Sequence, residues 1–136
     1  MHFEHSQKAQ DYIARVKEFM RDRVAPFESQ IYQDMHEMNP DGNWRNWKLH
    51  PKVEALKVEA REAGLSNLFL PDAELAHGLT TLEYAPLAEE MGKMLFAPEI
   101  FNCNAPDTGN MEVLYHFGSE QQKETWLKPL LAGEIR

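Results

Sequence analysis

The chain holds one cysteine, six histidines and twenty-two carboxylates, the groups from which acid–base, nucleophilic or metal chemistry would have to be built. Cys103 lies in Phe101-Asn102-Cys103-Asn104, with no basic residue near it in sequence. A reactive thiolate needs a cationic neighbour or a helix N-terminus, so Cys103 reads as a packed thiol. A single cysteine also allows no intrachain disulfide and no cysteine-clustered zinc, which fits a reducing compartment. Two Glu-x-x-His motifs on facing helices would suggest a di-iron bundle. Only Glu74-Leu75-Ala76-His77 matches, between Pro71 and Gly78 in what reads as a loop, so no metal site is expected. His2 and His5, near the terminus, could hold metal only adventitiously. Glu54, Glu59, Glu62, Glu89 and Glu90 fall beside Lys or Arg at helical spacing, the pattern of solvated faces with i,i+4 pairs. The glycines stand at 42, 64, 78, 92, 109, 118 and 133, the nearest two nine residues apart. That excludes a P-loop and a G-x-G-x-x-G turn. From spacing alone no catalytic set can be assembled.

The elements that would carry these residues read as helices. Ser6 can cap a helix from Gln7, and Ala9, Tyr12, Ile13, Val16, Phe19, Met20, Val24, Phe27 and Ile31 follow at steps of three or four. Pro26 should kink or split it near Ala25. Asn39-Pro40-Asp41-Gly42-Asn43 is turn chemistry. Trp44 and Trp47 follow in a polar stretch, read as a loop anchored by two aromatics, with a partner surface as the alternative. Pro51 opens a second helix with Val53, Leu56, Val58, Ala60 and Ala63 as its apolar positions and Gly64 as its stop. Leu65 to Pro71 reads as a buried, irregular connector. Thr80 and Glu83 have capping-box spacing and start a third helix that buries Leu82, Ala85, Leu87, Ala88, Met91 and Leu95 and tolerates Pro86 in its early turns. A loop through Pro98 to Pro106 leads to a fourth helix, Asp107 to Phe117, with Met111, Leu114 and Tyr115 inward and Gly118 as stop. Ser119 and Gln122 cap a fifth through Leu127, which ends at Leu130 to Gly133.

No segment alternates apolar and polar residues with a period of two, so the class is all-α, a bundle of about five to six helices in one domain over 1–136. Its 43% apolar and 26% charged residues suit a globular chain with a real core. The net charge of −8 argues against nucleic acid and anionic membranes, whose phosphates need clustered cations. No apolar run approaches the ~20 residues of a membrane span, and the start lacks the basic and apolar regions of a signal peptide. The expectation is a soluble, cytoplasmic chain.

Three stretches together give a resemblance. Ala63-Gly64-Leu65-Ser66-Asn67-Leu68-Phe69-Leu70-Pro71 is the first. Leu82-Glu83-Tyr84-Ala85-Pro86-Leu87-Ala88-Glu89-Glu90-Met91-Gly92 is the second. The third runs from Asn104-Ala105-Pro106-Asp107-Thr108-Gly109-Asn110-Met111-Glu112 through Gly118-Ser119-Glu120-Gln121-Gln122-Lys123 to Trp126-Leu127-Lys128-Pro129-Leu130-Leu131-Ala132-Gly133-Glu134. From about Ser6 to Arg136 the chain resembles the N-terminal helical domain of the acyl-CoA dehydrogenase family, in the branch of large, long- or branched-chain enzymes. Ser66 departs from that branch, which often has an aromatic there.

The resemblance implies an enzyme that oxidises fatty acyl-CoA between the α and β carbons and passes a hydride to FAD, with acyl-CoA and an electron-transfer protein as partners. It also implies a middle β-domain and a C-terminal bundle that hold the catalytic glutamate and most FAD contacts. Neither has a counterpart here, so no catalytic or FAD-binding residue is carried over, and the chain alone is expected to be inactive and without FAD. What carries over is a wall of the acyl pocket: Asn104, Ala105, Pro106, Asp107, Thr108 and Gly109. Alternatives are a free-standing helical interaction module, or the same domain of an acyl-CoA oxidase or flavin monooxygenase relative. A homo-oligomer is expected, formed through apolar surface at Ile100 to Pro106, Trp126, Leu130, Leu131 and Ile135.

Overall fold

The structure, a computed structural model, describes residues 4–135, with the Trp44 side chain outside the described part. His2 and Arg136 therefore lie outside the described residues. All secondary structure in the described residues is helical. α1 (Gln7–Phe19) passes through a π-turn (Met20–Val24) and a 3-10 turn (Ala25–Phe27) into α2 (Glu28–Met38). After a 3-10 turn at Trp44–Asn46 come α3 (Pro51–Glu62), α4 (Thr81–Met91), the short α5 (Ala97–Ile100) and α6 (Asp107–Phe117). α7 (Glu120–Gln122), a π-turn (Lys123–Leu127) and α8 (Lys128–Leu131) run on as one rod. Counted as continuous rods, the described residues form six helices.

The helix starts are those that side-chain chemistry dictates. Ser6 accepts the Ala9 N–H, and its hydroxyl also donates to Glu83. Thr80 with Glu83, and Ser119 with Gln122, close reciprocal capping boxes. α3 and α8 end in paired backbone bonds around Gly64 and Gly133, both at positive φ. A side chain at Gly133 would also strike the Arg61 guanidinium. Along the first rod the apolar pattern buries Ala9, Val16, Phe19, Met20, Val24 and Ile31. The break expected near Ala25 takes the form of the π-turn followed by the 3-10 turn. These residues pack on Val53, Leu56 and Ala60 of α3, on the Leu65–Leu70 connector, and on Leu87, Met91, Ile100, Phe101, Met111 and Leu127.

Several expectations are corrected. Val58 is half exposed, because two residues beyond Leu56 lies about 200° around a helix. Leu82 is exposed, being about 140° from the buried Leu87 and Met91 side. Ala63 and Ala85 are exposed as well. Leu95 is 91% exposed: α4 has already ended, and Leu95 sits in the following turn, where its N–H donates to Tyr32 Oη at 3.1 Å. Phe27 lies at the edge, with Lys52 Nζ 4.0 Å from its ring centroid. The loop from Pro98 holds a helical turn, α5. Trp47 is 65% exposed, so it does not anchor its loop. It rims a hollow of about 560 Å³ with Met35, Leu49 and Phe96. The anchor is His50, which is buried: Nδ1 accepts the Lys52 N–H at the start of α3, so Nε2 carries the proton and donates to Asp34 at 3.0 Å.

Candidate functional site

Residues 104–109 form the bend into α6. Asn104 O accepts the Thr108 N–H at 3.1 Å, and Pro106 O accepts the Asn110 N–H at 3.1 Å, so the helix begins without a side-chain cap. Asp107 is buried in the first turn, where a carboxylate suits the positive end of the helix dipole. Thr108 and Asn104 are half-buried. The Asn104 Nδ2 donates to Ala105 O at 3.4 Å, while its Oδ1 is buried without a partner. Ala105, Pro106 and Gly109 face outward, and a Cβ at Gly109 would meet nothing within 4 Å. The candidate residues are thus contiguous on one bend, but they do not share a cavity. Outward are two backbone-rich stretches; inward are Asp107 and the Asn104 carbonyl.

Beneath the bend, neither Cys103 nor Tyr84 offers a base. Burial pushes the Cys103 thiol up to about 11, and the thiol donates to Phe101 O at 3.2 Å. Burial, then the neighbouring Cys103 and Glu112, push the Tyr84 phenol upward as well. Both groups stay protonated at neutral pH, so neither is a nucleophile or base. Charge is distributed asymmetrically too. No Lys or Arg occurs between Lys93 and Lys123, while Glu99, Asp107, Glu112 and Glu120 do. The bend therefore has no cation of its own for a phosphate.

The Glu-x-x-His match is structural. His77 Nε2 donates to Ser66 O at 2.9 Å, which leaves Nδ1 to accept the Tyr12 hydroxyl at 2.9 Å. Burial, with Arg15 and Lys8 nearby, holds its pKa below the ordinary value. Among the described residues no group of three metal-binding side chains exists, and no helix is long and apolar enough to cross a membrane. Reading the sequence missed His50, Asn67 and Asn102, and weighed His77 only as a metal ligand. The asparagines had a usable signal, since Asn is the residue after Gly that most readily enters the left-handed region.

The exposed apolar residues are only in part those expected. Ile100, Phe101 and Cys103 are buried in the core, as is Leu130. Trp126 and Ile135 are outward as expected, and Val113 and Phe117, one turn apart on α6, are outward without having been expected. Phe117 is 83% exposed.

The profile of the acyl-CoA dehydrogenase N-terminal domain matches residues 6–134. Acyl-CoA dehydrogenase family member 11 of Gallus gallus is 49% identical over 136 residues, covering 98% of this chain and 16% of its own length. The Homo sapiens protein of that name is 44% identical over 133 residues, with the same coverage. A solved structure described as an acyl-CoA dehydrogenase from Mycobacterium abscessus is 51% identical, with a TM-score of 0.88 over 98% of this chain and 33% of that one. The chain thus spans a sixth to a third of these relatives.

Proposed function

The chain belongs to the acyl-CoA dehydrogenase N-terminal domain family, and we propose from that premise that it serves FAD-dependent α,β-dehydrogenation of fatty acyl-CoA by forming one wall of the acyl pocket. The observation that carries this reading is the bend at 104–109: outward backbone at Ala105, Pro106 and Gly109, open space over Gly109, and no cation between Lys93 and Lys123. Such a surface can line a hydrocarbon chain and has little to offer the CoA phosphates or the FAD pyrophosphate. FAD would supply the hydride acceptor; this chain's residues orient the alkyl chain and exclude water from it. Abstraction of the α-proton needs a base beside a stabilised enolate, and the protonated Cys103 and Tyr84 supply none, so the chain by itself does not turn over.

Exposed surface supports a domain that works against other protein. A compact monomer of 15.8 kDa exposes about 7,300 Å², whereas this chain exposes 8551 Å². Phe117, Val113 and Trp126 contribute to that excess. The isolated chain is therefore proposed to self-associate at ~100 μM, the range of weak dimers, which sedimentation would detect. The relatives above are named as acyl-CoA dehydrogenases, which favours a dehydrogenase over an oxidase or monooxygenase.

The test joins residues 6–134 of this chain to the rest of the Mycobacterium abscessus enzyme. The chimera is expected to bind FAD and oxidise fatty acyl-CoA. Gly109→Leu in it should leave thermal stability unchanged, since nothing stands within 4 Å, and raise KM for long acyl chains about tenfold, the equivalent of ~1.4 kcal/mol. An inactive chimera would refute the reading in favour of a free-standing interaction module. An active one indifferent to Gly109→Leu would move the acyl wall elsewhere.

A further inference from the structure

α5 ends in the same double backbone bond as α3 and α8. The Cys103 N–H bonds Pro98 O at 2.9 Å and the Asn102 N–H bonds Glu99 O at 3.1 Å. In α3 and α8 the left-handed residue of that motif is Gly64 or Gly133; here it is Asn102, at φ 52°. Glycine holds this conformation at less cost, so the side chain must account for the asparagine. Asn102 Nδ2 donates to Leu130 O at 3.0 Å and to Asn67 Oδ1 at 2.7 Å. Asn67 Nδ2 passes the sequence on, donating to Leu131 O at 2.9 Å. Carbonyls only accept, so both amide orientations are fixed by their partners.

Asn67 is the other non-glycine residue at positive φ among those described, at 59°, and it is buried. Its own N–H donates to Phe101 O at 2.9 Å. The two amides therefore lock three segments: the connector at 65–70, the end of α5, and the carbonyls of Leu130 and Leu131 at the end of α8. Two residues after Asn102, the chain enters the bend at Asn104.

We propose that Asn67 and Asn102 are positioning residues for the acyl wall, fixing the 104–109 bend to the C-terminal end of α8 through one directed line of amide donors. This rests on the reading of 104–109 as acyl wall given above. Neither side chain touches substrate; each acts through the direction in which the backbone leaves residue 102. The device sets where the bend stands, so it governs how well a long acyl chain is held.

Asn102→Gly is the discriminating variant, because it keeps the left-handed backbone and removes only the donors. In the 136-residue chain it is expected to speed hydrogen exchange at the Thr108 and Asn110 amides about tenfold while leaving α1 amides unchanged. Asn67→Ala should do the same, and the double variant should add little, as expected for two members of one line. In the chimera, Asn102→Gly should raise KM for long-chain acyl-CoA severalfold with FAD content and kcat retained, and less for short chains. Unchanged exchange at Thr108 and Asn110, additive effects, or an unchanged KM in an active chimera would each overturn the proposal. A chimera that is inactive before any substitution fails the acyl-wall reading itself, and this inference with it.

Discussion

Two regions of this molecule solve the same problem in opposite ways. The seam where the 65–70 connector, α5 and α8 meet is nearly all interior: Leu65, Leu68, Leu70, Ile100 and Phe101 are buried, and its polar atoms are spent on one another through Asn67 and Asn102. Among its described residues, the arm made of α2 and the loop to His50 buries only Ile31 and His50. It is held at its margins, by His50 to Asp34, by Lys48 N–H to Asn39 Oδ1 at 3.1 Å, and by Tyr32 at once edge-on to Phe96 and bonded to the Leu95 N–H. Directed polar bonds complement a packed core in the first region and stand in for one in the second. The seam should open only with global unfolding, and the arm well before it.

The comparison is most severely tested at Phe101, fully buried and edge-on to Phe19 with ring centroids 5.5 Å apart. Phe101→Ala should cost about 3–5 kcal/mol of unfolding free energy in urea; a loss below ~1 kcal/mol would mean the seam is not the stability centre. His50→Ala removes a helix cap and the tie to Asp34, and should cost about 1 kcal/mol. Its signature should be faster exchange confined to α2 and the first turn of α3, and uniform acceleration across α1 to α8 would erase the distinction between the regions. Gln122→Ala opens half of a solvent-exposed capping box, belongs to neither region, and should cost at most ~1 kcal/mol. A collapse of folding would give Gln122 a part in the seam.

The smallest effect is in pH. His77 joins α1 to the seam through Tyr12 and Ser66, and its pKa is lowered from the ordinary 6.5. The unfolded chain therefore binds the proton first. The contribution of His77 is complete above about pH 6.5, declines as the pH falls through the lower folded value, and is flat beneath it. Denaturation midpoints of the parent and of His77→Gln, measured from pH 7.5 to 5, should converge on acidification. Parallel curves would show that His77 is not the sensing group.

What the sequence made legible follows from where its signals are local. Ser6, Thr80 with Glu83, and Ser119 with Gln122 declare helix starts because a cap is decided within four residues. Gly64 and Gly133 declare stops for the same reason. Asn102 performs the stop of α5 without declaring it, since asparagine is equally at home in a loop, and Pro98 to Pro106 consequently reads as unstructured. Periodicity failed at Val58 and Leu95 for different reasons: one lies on the wrong face of a real helix, the other beyond the end of one. The 104–109 bend stood out through its resemblance to a family, but its placement could not. That placement depends on Asn67, thirty-five residues away from Asn102, and contacts so distant leave no mark in local spacing. Trp47 shows the converse hazard, an aromatic whose type suggests an anchor while the buried tie is the histidine three residues on.

The two π-turns have a genetic consequence. One closes with the Ala25 N–H on Met20 O, just before Pro26; the other with the Lys128 N–H on Lys123 O, just before Pro129. A bond spanning five residues instead of four gives the rod one residue more than an α-helix would use, at the place where proline disrupts the regular ladder. Such a turn behaves as an insertion carried inside a helix. Deleting a single codon from Arg21 to Val24 should therefore take up that extra residue, turning the π-turn into α-helix and leaving Ile31 on the interior side, whereas a deletion from Tyr12 to Val16 in the regular part of α1 would turn everything beyond it by about 100° about the helix axis. A deletion among Asn39 to Asn43 would shorten a turn, so a scan of one-residue deletions should show intolerance in the regular helical stretches and tolerance in this loop and in the two π-turns.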